Sequence, residues 1–302
     1  MVESLAIGVD IGGSHITAAQ VDLATQRILL PSLKRAAVNT RGDADEIISA
    51  WCSVLVENCK GLCPQTVKIG IAMPGPFDYQ QGVSYMREQN KFDSLYGLSV
   101  RTLLAEKLGL VPENISFLND AACFLKGEVF GGAAKGCSRV LGLTLGTGFG
   151  SAIFDNGLVE DANLWCDPYK DGIAEDLFST RWFVKRYTEL TGRNAKDVKG
   201  ILDSGCDDKF VKQVFREFGE NLGEYLVGLS NRFDFDTVVI GGNIAKSFPL
   251  FAEPLQNFVR ETNQAIAFKQ SVLNENAALV GAASIWQDVQ TGPRVLHSQE
   301  LR

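Results

Sequence analysis

The sequence predicts an α/β protein of two lobes, and three observations carry the prediction. The chain has 302 residues, more than a single core usually organises. Three apolar runs of strand length each end in a glycine turn, at residues 10–14, 146–150 and 241–243. The second half also repeats the first half's order of strand, glycine turn and hairpin mate.

Residues 5–9 are apolar or glycine and suit a buried parallel strand, which Asp10 ends with a carboxylate. Residues 16–21 alternate as a hairpin mate, and 27–30 are apolar enough for a third strand of the meander. Asp43 is placed to cap a helix running to about residue 58, with Ile47, Ile48, Trp51, Leu55 and Val56 as its apolar face. Residues 67–72 form a strand that enters Met73-Pro74-Gly75-Pro76, a rigid turn in which neither proline nitrogen can donate. The polar and aromatic stretch 77–97, which holds Asn90, is long for a connection inside a compact domain, and such connections are usually functional. A helix over 98–108 stops at Gly109, and a strand over 115–118 delivers Asn119 and Asp120 to a helix over 121–130.

In the second half, a strand over 140–145 opens into Gly146-Thr147-Gly148-Phe149-Gly150, with 151–154 as its hairpin mate. Helices follow over 175–190 and 208–232; the second spaces Phe210, Val211, Val214, Phe215, Phe218, Leu222, Tyr225, Leu226 and Leu229 as a core stripe. Residues 237–240 form another buried strand, turned by Gly241, Gly242 and Asn243, and a helix from about 276 returns to the first lobe. The lobes therefore divide as 1–119, joined by residues from about 276 to 302, and 120–275.

Composition narrows the function. A formal charge of -7 argues against a nucleic-acid surface, which needs clustered Lys and Arg. No apolar run is long enough to span a bilayer, and Met1-Val2-Glu3-Ser4 lacks the basic start of a signal peptide, so a cytoplasmic protein is expected. The seven cysteines contain no C-x-x-C pair and read as buried reduced thiols. Only His15 and His297 are present, which makes a two-histidine metal centre improbable.

The first glycine turn carries the chemistry. Gly12 and Gly13 allow positive φ and close approach of backbone N–H groups to an oxyanion, and the Ser14 hydroxyl adds a donor. An acid beside a phosphate repels it unless a cation intervenes, so Asp10 is the candidate for hydrated Mg2+. A plain hairpin turn with a capping aspartate is the other reading. The 146–150 turn is a second phosphate hairpin. Asp120 opens a helix after a short strand and is the candidate general base; an ordinary helix N-cap is its alternative.

Asp10-Ile11-Gly12-Gly13-Ser14, Met73-Pro74-Gly75-Pro76, Leu118-Asn119-Asp120-Ala121, Leu145 to Gly150 and Val239-Ile240-Gly241-Gly242, in that order, resemble the ROK family of sugar kinases in the actin and hexokinase superfamily. The similarity covers nearly the whole chain and includes glucokinase-like and N-acetylhexosamine kinase-like members. It implies a two-lobed actin-like ATPase fold of the ribonuclease H type, with ATP and sugar meeting in the cleft between a sugar lobe and a nucleotide lobe. It implies that Asp10, Gly12, Gly13 and Ser14 form the first phosphate motif, that Gly146, Thr147 and Gly148 form the second, and that Gly241 and Gly242 form the adenosine turn. Asn90, Asn119, Asp120 and Glu175 are then the sugar contacts, Asp120 the base, and ATP with Mg2+ the cofactors. A homodimer is the family's tendency.

The chain departs from that pattern in two places. Most members carry Glu-x-Gly-His and a cysteine-rich zinc segment where this chain reads Asn163-Leu164-Trp165-Cys166 and 167–172, so no structural zinc site is expected; Trp165, Asp167 or Tyr169 would replace the missing sugar contacts. His15 stands where the family often has lysine. The alternatives are a sugar- or nucleotide-binding protein without turnover and a ROK-type regulator lacking its DNA-binding domain; a strand starting at Leu5 leaves no room for that domain.

Overall fold

A computed structural model describes residues 5–203, 205 and 208–290. Residues 1–4, Cys206, and the tail with His297 lie outside the described residues. The chain forms two compact units: residues up to Leu118 together with those from Leu279 onward, and Asn119–Ala278.

In the first unit β1 (Leu5–Ile11) pairs antiparallel with β2 (His15–Asp22), which also carries β3 (Arg27–Ile28) and β4 (Lys34–Ala37). The third strand is shorter than its apolar run suggests, because Leu30–Ser32 winds into a 3-10 turn with proline at its start. α1 (Ala44–Cys59) begins where Asp43 Oδ1 accepts from Glu46 N at 2.8 Å. Its buried face holds Ile47, Ile48, Trp51, Val54 and Leu55, whereas Val56 is 47% exposed. Val56 lies five positions beyond Trp51, well off that face, and Val54 takes the place assigned to it.

β5 (Ile69–Met73) runs parallel to β1 and is buried throughout, as a strand covered on both faces should be. A small hairpin, β6 (Phe77–Asp78) with β7 (Val83–Ser84), gives the 77–97 stretch some regular structure. α2 (Val100–Leu108) starts at its Ser99 cap and ends at Gly109, φ 65°. β8 (Ile115–Asn119) completes the sheet order β3-β2-β1-β5-β8.

The second unit opens with α3 (Asp120–Gly131). β9 (Arg139–Leu145), β10 (Phe149–Asp155) and β11 (Leu158–Asp161) form an antiparallel meander. Next come a two-residue pair, β12 (Pro168–Tyr169) with β13 (Gly172–Ile173), and helices α4 (Ala174–Leu177), α5 (Thr180–Thr191), α6 (Val198–Leu202) and α7 (Lys209–Leu229). β14 (Thr237–Gly241), α8 (Phe248–Glu261) and β15 (Ala267–Gln270) follow, giving the order β11-β10-β9-β14-β15. The single helix expected over 175–190 is two, because Thr180 N and Oγ1 both donate to Gly146 O, at 2.8 and 2.9 Å, and turn the chain aside. The α7 stripe is core from Val211 onward, with Val211, Phe215, Phe218, Leu222 and Leu226 all fully buried, whereas Phe210 in the first turn is only half-buried.

Among the described residues of this unit one acid is fully buried. Glu128 on α3 accepts from Ser271 Oγ (2.5 Å), Ala133 N (2.7 Å), Leu273 N (3.0 Å) and Val272 N (3.4 Å), so it ties the end of α3 to the segment after β15. The last described element, α9 (Ala277–Gln290), seats its backbone on the first sheet. A Cβ on Gly8 would collide with the carbonyl of Leu279, and one on Gly70 with that of Ala282. Glycine at both sites is therefore the condition for helix–sheet contact.

The six described cysteines are free. Cys52 and Cys123 are buried and Cys59 and Cys137 half-buried, but Cys63 and Cys166 are exposed, so burial holds for only part of the set. Burial pushes the Cys52 and Cys59 thiols up to about 11, which keeps them unreactive.

Candidate active site

The first unit supplies one glycine turn. β1 and β2 stay in register to Ile11 opposite Ile16, and Gly12 N donates to His15 O at 2.9 Å to close the hairpin. Asp10, opposite Thr17, is half-buried at the strand end, while Gly13 and Ser14 are exposed. The expectation of positive φ fails here: neither Gly12 nor Gly13 adopts it. A Cβ on Gly12 would meet nothing closer than His15 O at 3.7 Å, and one on Gly13 nothing closer than Lys91 Cδ at 4.0 Å. These glycines serve clearance, leaving bare backbone where an anion can approach. Ser14 Oγ lies 2.6 Å from His15 Nδ1, so His15 hydrogen-bonds to the turn's own hydroxyl.

Asn90 is exposed, with φ 59°. It lines a cavity of about 260 Å³ with Thr40, Arg41, Lys91 and Asp93. Its loop is anchored by Phe92, whose ring is buried against Trp51 at 5.3 Å and whose amide donates to Thr40 O at 2.7 Å.

The second unit supplies the other acid and the second turn. Asn119, buried, caps α3: its Oδ1 accepts from Ala121 N at 2.9 Å and Ala122 N at 3.1 Å. Its side-chain carbonyl is thus committed to the first turn of the helix. Asp120 is the first helical residue and is exposed, with Oδ1 also accepting from Ala121 N at 2.8 Å. The capping role that was Asp120's alternative belongs to Asn119. Asp161, which sequence reading passed over, feels the charge of Asp120: burial raises its carboxyl above the usual range, and that neighbouring charge raises it further. Only the return of β11 towards α3 brings this second acid near, and no spacing in the sequence announces it.

At the second glycine turn, Gly146 N donates to Gly148 O at 3.0 Å, and Thr147 is exposed. Space beside Gly146 is open, but a Cβ on Gly148 would come 2.9 Å from Glu175 Oε2. Glu175 borders this turn directly, accepting from Phe149 N at 3.1 Å and pairing with Arg181 at 2.9 Å. The third turn is shaped by packing: Gly241 lies under the ring of Phe124, and Gly242, φ 83°, against the carbonyl of Leu145. Asp10, Gly12, Gly13, Ser14 and Asn90 thus belong to the first unit, and Asn119, Asp120, Gly146, Thr147, Gly148, Glu175, Gly241 and Gly242 to the second.

The segment expected to differ from the family is clamped to α7. Arg232 Nη1 donates to both oxygens of Asp167, at 2.9 and 2.7 Å, and Tyr225 donates to Asp167 at 3.0 Å. Tyr169 donates to Asn221 O at 3.1 Å and packs on Phe178 and Tyr225. Asp167 and Tyr169 therefore hold the segment in place, and of the three substitutes considered for sugar contact only Trp165 is exposed, at 48%.

An open glycine turn beside a strand-end acid, followed by a second unit with its own glycine hairpin and an exposed helix-opening acid, defines a protein built for phosphate chemistry. The ROK family model matches residues 6–161 and 158–289, and the chain belongs to that family. It is 26% identical to a glucokinase of Thermotoga maritima over 92% of this chain and 96% of that one, and 24% identical to an N-acetylgalactosamine kinase of a Shewanella strain over 79% and 82%. Among solved structures, a ROK glucokinase of Streptomyces griseus in complex with glucose and AMPPNP superposes with a TM-score of 0.73, at 24% identity, over 94% of this chain and 99% of that one. The fold is thus the two-lobed, actin-like one. No helix among the described residues is long and apolar enough to cross a membrane.

Proposed function

We propose that this protein transfers the terminal phosphoryl group of ATP, with Mg2+, to a hydroxyl of a hexose or amino-hexose. The named relatives, a glucokinase and an N-acetylgalactosamine kinase, support the reaction class and leave the sugar open between them. In this reading the first unit holds the sugar and the first phosphate turn, and the second holds the nucleotide. The observation that carries it is the division of labour at the head of α3: Asn119 makes the cap, and Asp120 stands exposed beside it.

Phosphoryl transfer asks for an oriented alcohol, a proton acceptor and compensation of charge on the transferred group. Asp120 would take the proton of the attacking hydroxyl, a contribution of about 10²–10⁴-fold for a positioned base. Asn90, Asn119 and Glu175 would orient the sugar hydroxyls. The bare backbone of Gly12 and Gly13 with the Ser14 hydroxyl, and the Gly146-Thr147-Gly148 turn, would receive the phosphates. Gly241 and Gly242, held close by packing, would border the adenosine.

The donor set at Asp10 fits Mg2+. Among the described residues no three His, Cys, Asp or Glu side chains form a metal cage, and Mg2+ typically binds through one or two carboxylates together with substrate phosphates. Asp10 would hold it through its water shell, and the ion would neutralise charge on the phosphates. The reading is tested by ADP release with ATP and Mg2+ against glucose, mannose, fructose, allose, galactose and their N-acetylamino forms. Turnover on one sugar class is the expected result; no release with any of them, while sugar or nucleotide still binds, would make this a binding protein.

A further inference from the structure

The first glycine turn presents N–H groups and a hydroxyl, yet its nearest charged neighbour in sequence, Asp10, is an acid, and His15 hydrogen-bonds to Ser14. Even with Mg2+ at Asp10 a bound triphosphate keeps excess negative charge, and the turn itself contains no cationic side chain. The structure brings one from a distant part of the chain. Lys91 lays its Cδ 4.0 Å from where a Cβ on Gly13 would stand, so its aliphatic arm crosses the bare glycine. It is half-buried, and among the described residues its ammonium has no ion-pair partner.

The placement is built into the loop. The residues on either side, Asn90 and Phe92, both take left-handed φ, 59° and 61°, which turns the chain sharply at Lys91. Phe92 is fully buried against Trp51 and its amide is bonded to Thr40 O, so the position of Lys91 is fixed from behind. The loop's own acids are engaged elsewhere: Glu88 pairs with Arg87 at 3.7 Å, and Asp93 Oδ1 accepts from Gln89 N at 3.3 Å. An unpaired lysine held over an open anion turn, with the adjacent acids occupied, is poised for a ligand.

We propose that Lys91 is an anion-binding residue of the first glycine turn, one that places its ammonium on the terminal phosphates of the donor. The role rests on the kinase reading for its ligand but not for its geometry. Lysine acts as a point charge with three donors, suited to oxygens on which negative charge gathers during transfer. Asn90 and Lys91 then give one loop two tasks, toward sugar and toward phosphate.

The test compares the full chain with Lys91→Met and Lys91→Arg, measuring binding of Mg·ATP and of inorganic tripolyphosphate by titration calorimetry at low and high salt. Lys91→Met should weaken both by about tenfold or more, the loss of one charge-assisted contact, and flatten the salt dependence. Lys91→Arg should stay within about threefold, and the melting temperature of both should match wild type. Lys91→Met binding tripolyphosphate as tightly as wild type, or Lys91→Arg failing as badly as methionine, would overturn the proposal. If wild type releases no ADP with any sugar but Lys91→Met still loses tripolyphosphate, the kinase reading fails and Lys91 stands. If wild type turns over and Lys91→Met matches it in binding and rate, Lys91 falls alone. Wild type binding neither probe overturns the anion turn and Lys91 together.

Discussion

α3 carries two acids about two turns apart that share nothing but their charge. Glu128 is fully buried and collects four donors from two other stretches of the chain; Asp120, at the exposed head of the helix, is next to a cap that another residue makes. The same contrast recurs outside the helix. Asp167 is spent on Arg232 and Tyr225, while Asp10 stands at the end of a strand beside backbone stripped of side chains. What distinguishes Glu128 from Asp120 is burial: a buried carboxylate survives only when its oxygens are met, as the four donors to Glu128 meet them, whereas Asp120 is open to water and ligand.

The largest effect should come from breaking the chemical member of the pair. Asp120→Asn keeps the shape of the head of α3 and removes the proton acceptor, so turnover should fall about 10²–10⁴-fold with melting temperature and sugar affinity unchanged. Turnover within tenfold of wild type in a steady-state assay would place Asp120 among the structural acids. Glu128→Ala should show the reverse pattern. Stranding buried donors costs about 1–3 kcal/mol each, and partial relaxation brings the total to about 3–4 kcal/mol in urea unfolding. Glu128→Gln, which keeps one acceptor, should lose about half as much.

Glu175 lies between the two classes, and its variant sharpens the comparison. Its carboxylate accepts from Phe149 N and pairs with Arg181, but its side chain is 25% exposed. If it shapes the second glycine turn, Glu175→Ala should raise the KM for ATP by about three- to tenfold and cost no more than about 1 kcal/mol of stability. A rise in the KM for sugar alone would instead return Glu175 to the sugar contact that family resemblance implies.

Local pattern made the strands, the glycine turns and the Asn119–Asp120 strand end readable, since each is encoded within a few residues. Long-range features were not. Val54 and Val56 differ only in which side of α1 meets the sheet, a fact of packing. The break after α4 comes from Gly146 O, more than thirty residues earlier, capturing Thr180. Glu128 carries no sequence sign of its burial, because its donors at Ala133, Ser271, Val272 and Leu273 come together only when β15 is in place. Asp161 and Lys91 escaped notice for the same reason. Of the two reasons for glycine in the first turn, positive φ fails and open space beside the backbone holds, since φ follows from the turn type the folded hairpin adopts.

The smallest effect tests whether Asp167 is architectural. The Arg232 guanidinium, aided by the Tyr225 hydroxyl and working against burial, holds the Asp167 carboxyl below the usual carboxylate range. A carboxyl depressed in the folded state stabilises the protein above its unfolded value, about 3.9, and that contribution is lost as pH falls through the folded value. Between about pH 5 and pH 3 the wild type should therefore lose more unfolding free energy than Asp167→Asn, with a difference of no more than about 1 kcal/mol because Arg232 is half exposed. Urea titrations at the two pH values measure it. Parallel losses in both proteins would show that the pair contributes nothing to folding, and that the packing of the Tyr169, Phe178 and Tyr225 rings and the bond from Tyr169 to Asn221 O hold the 163–172 segment.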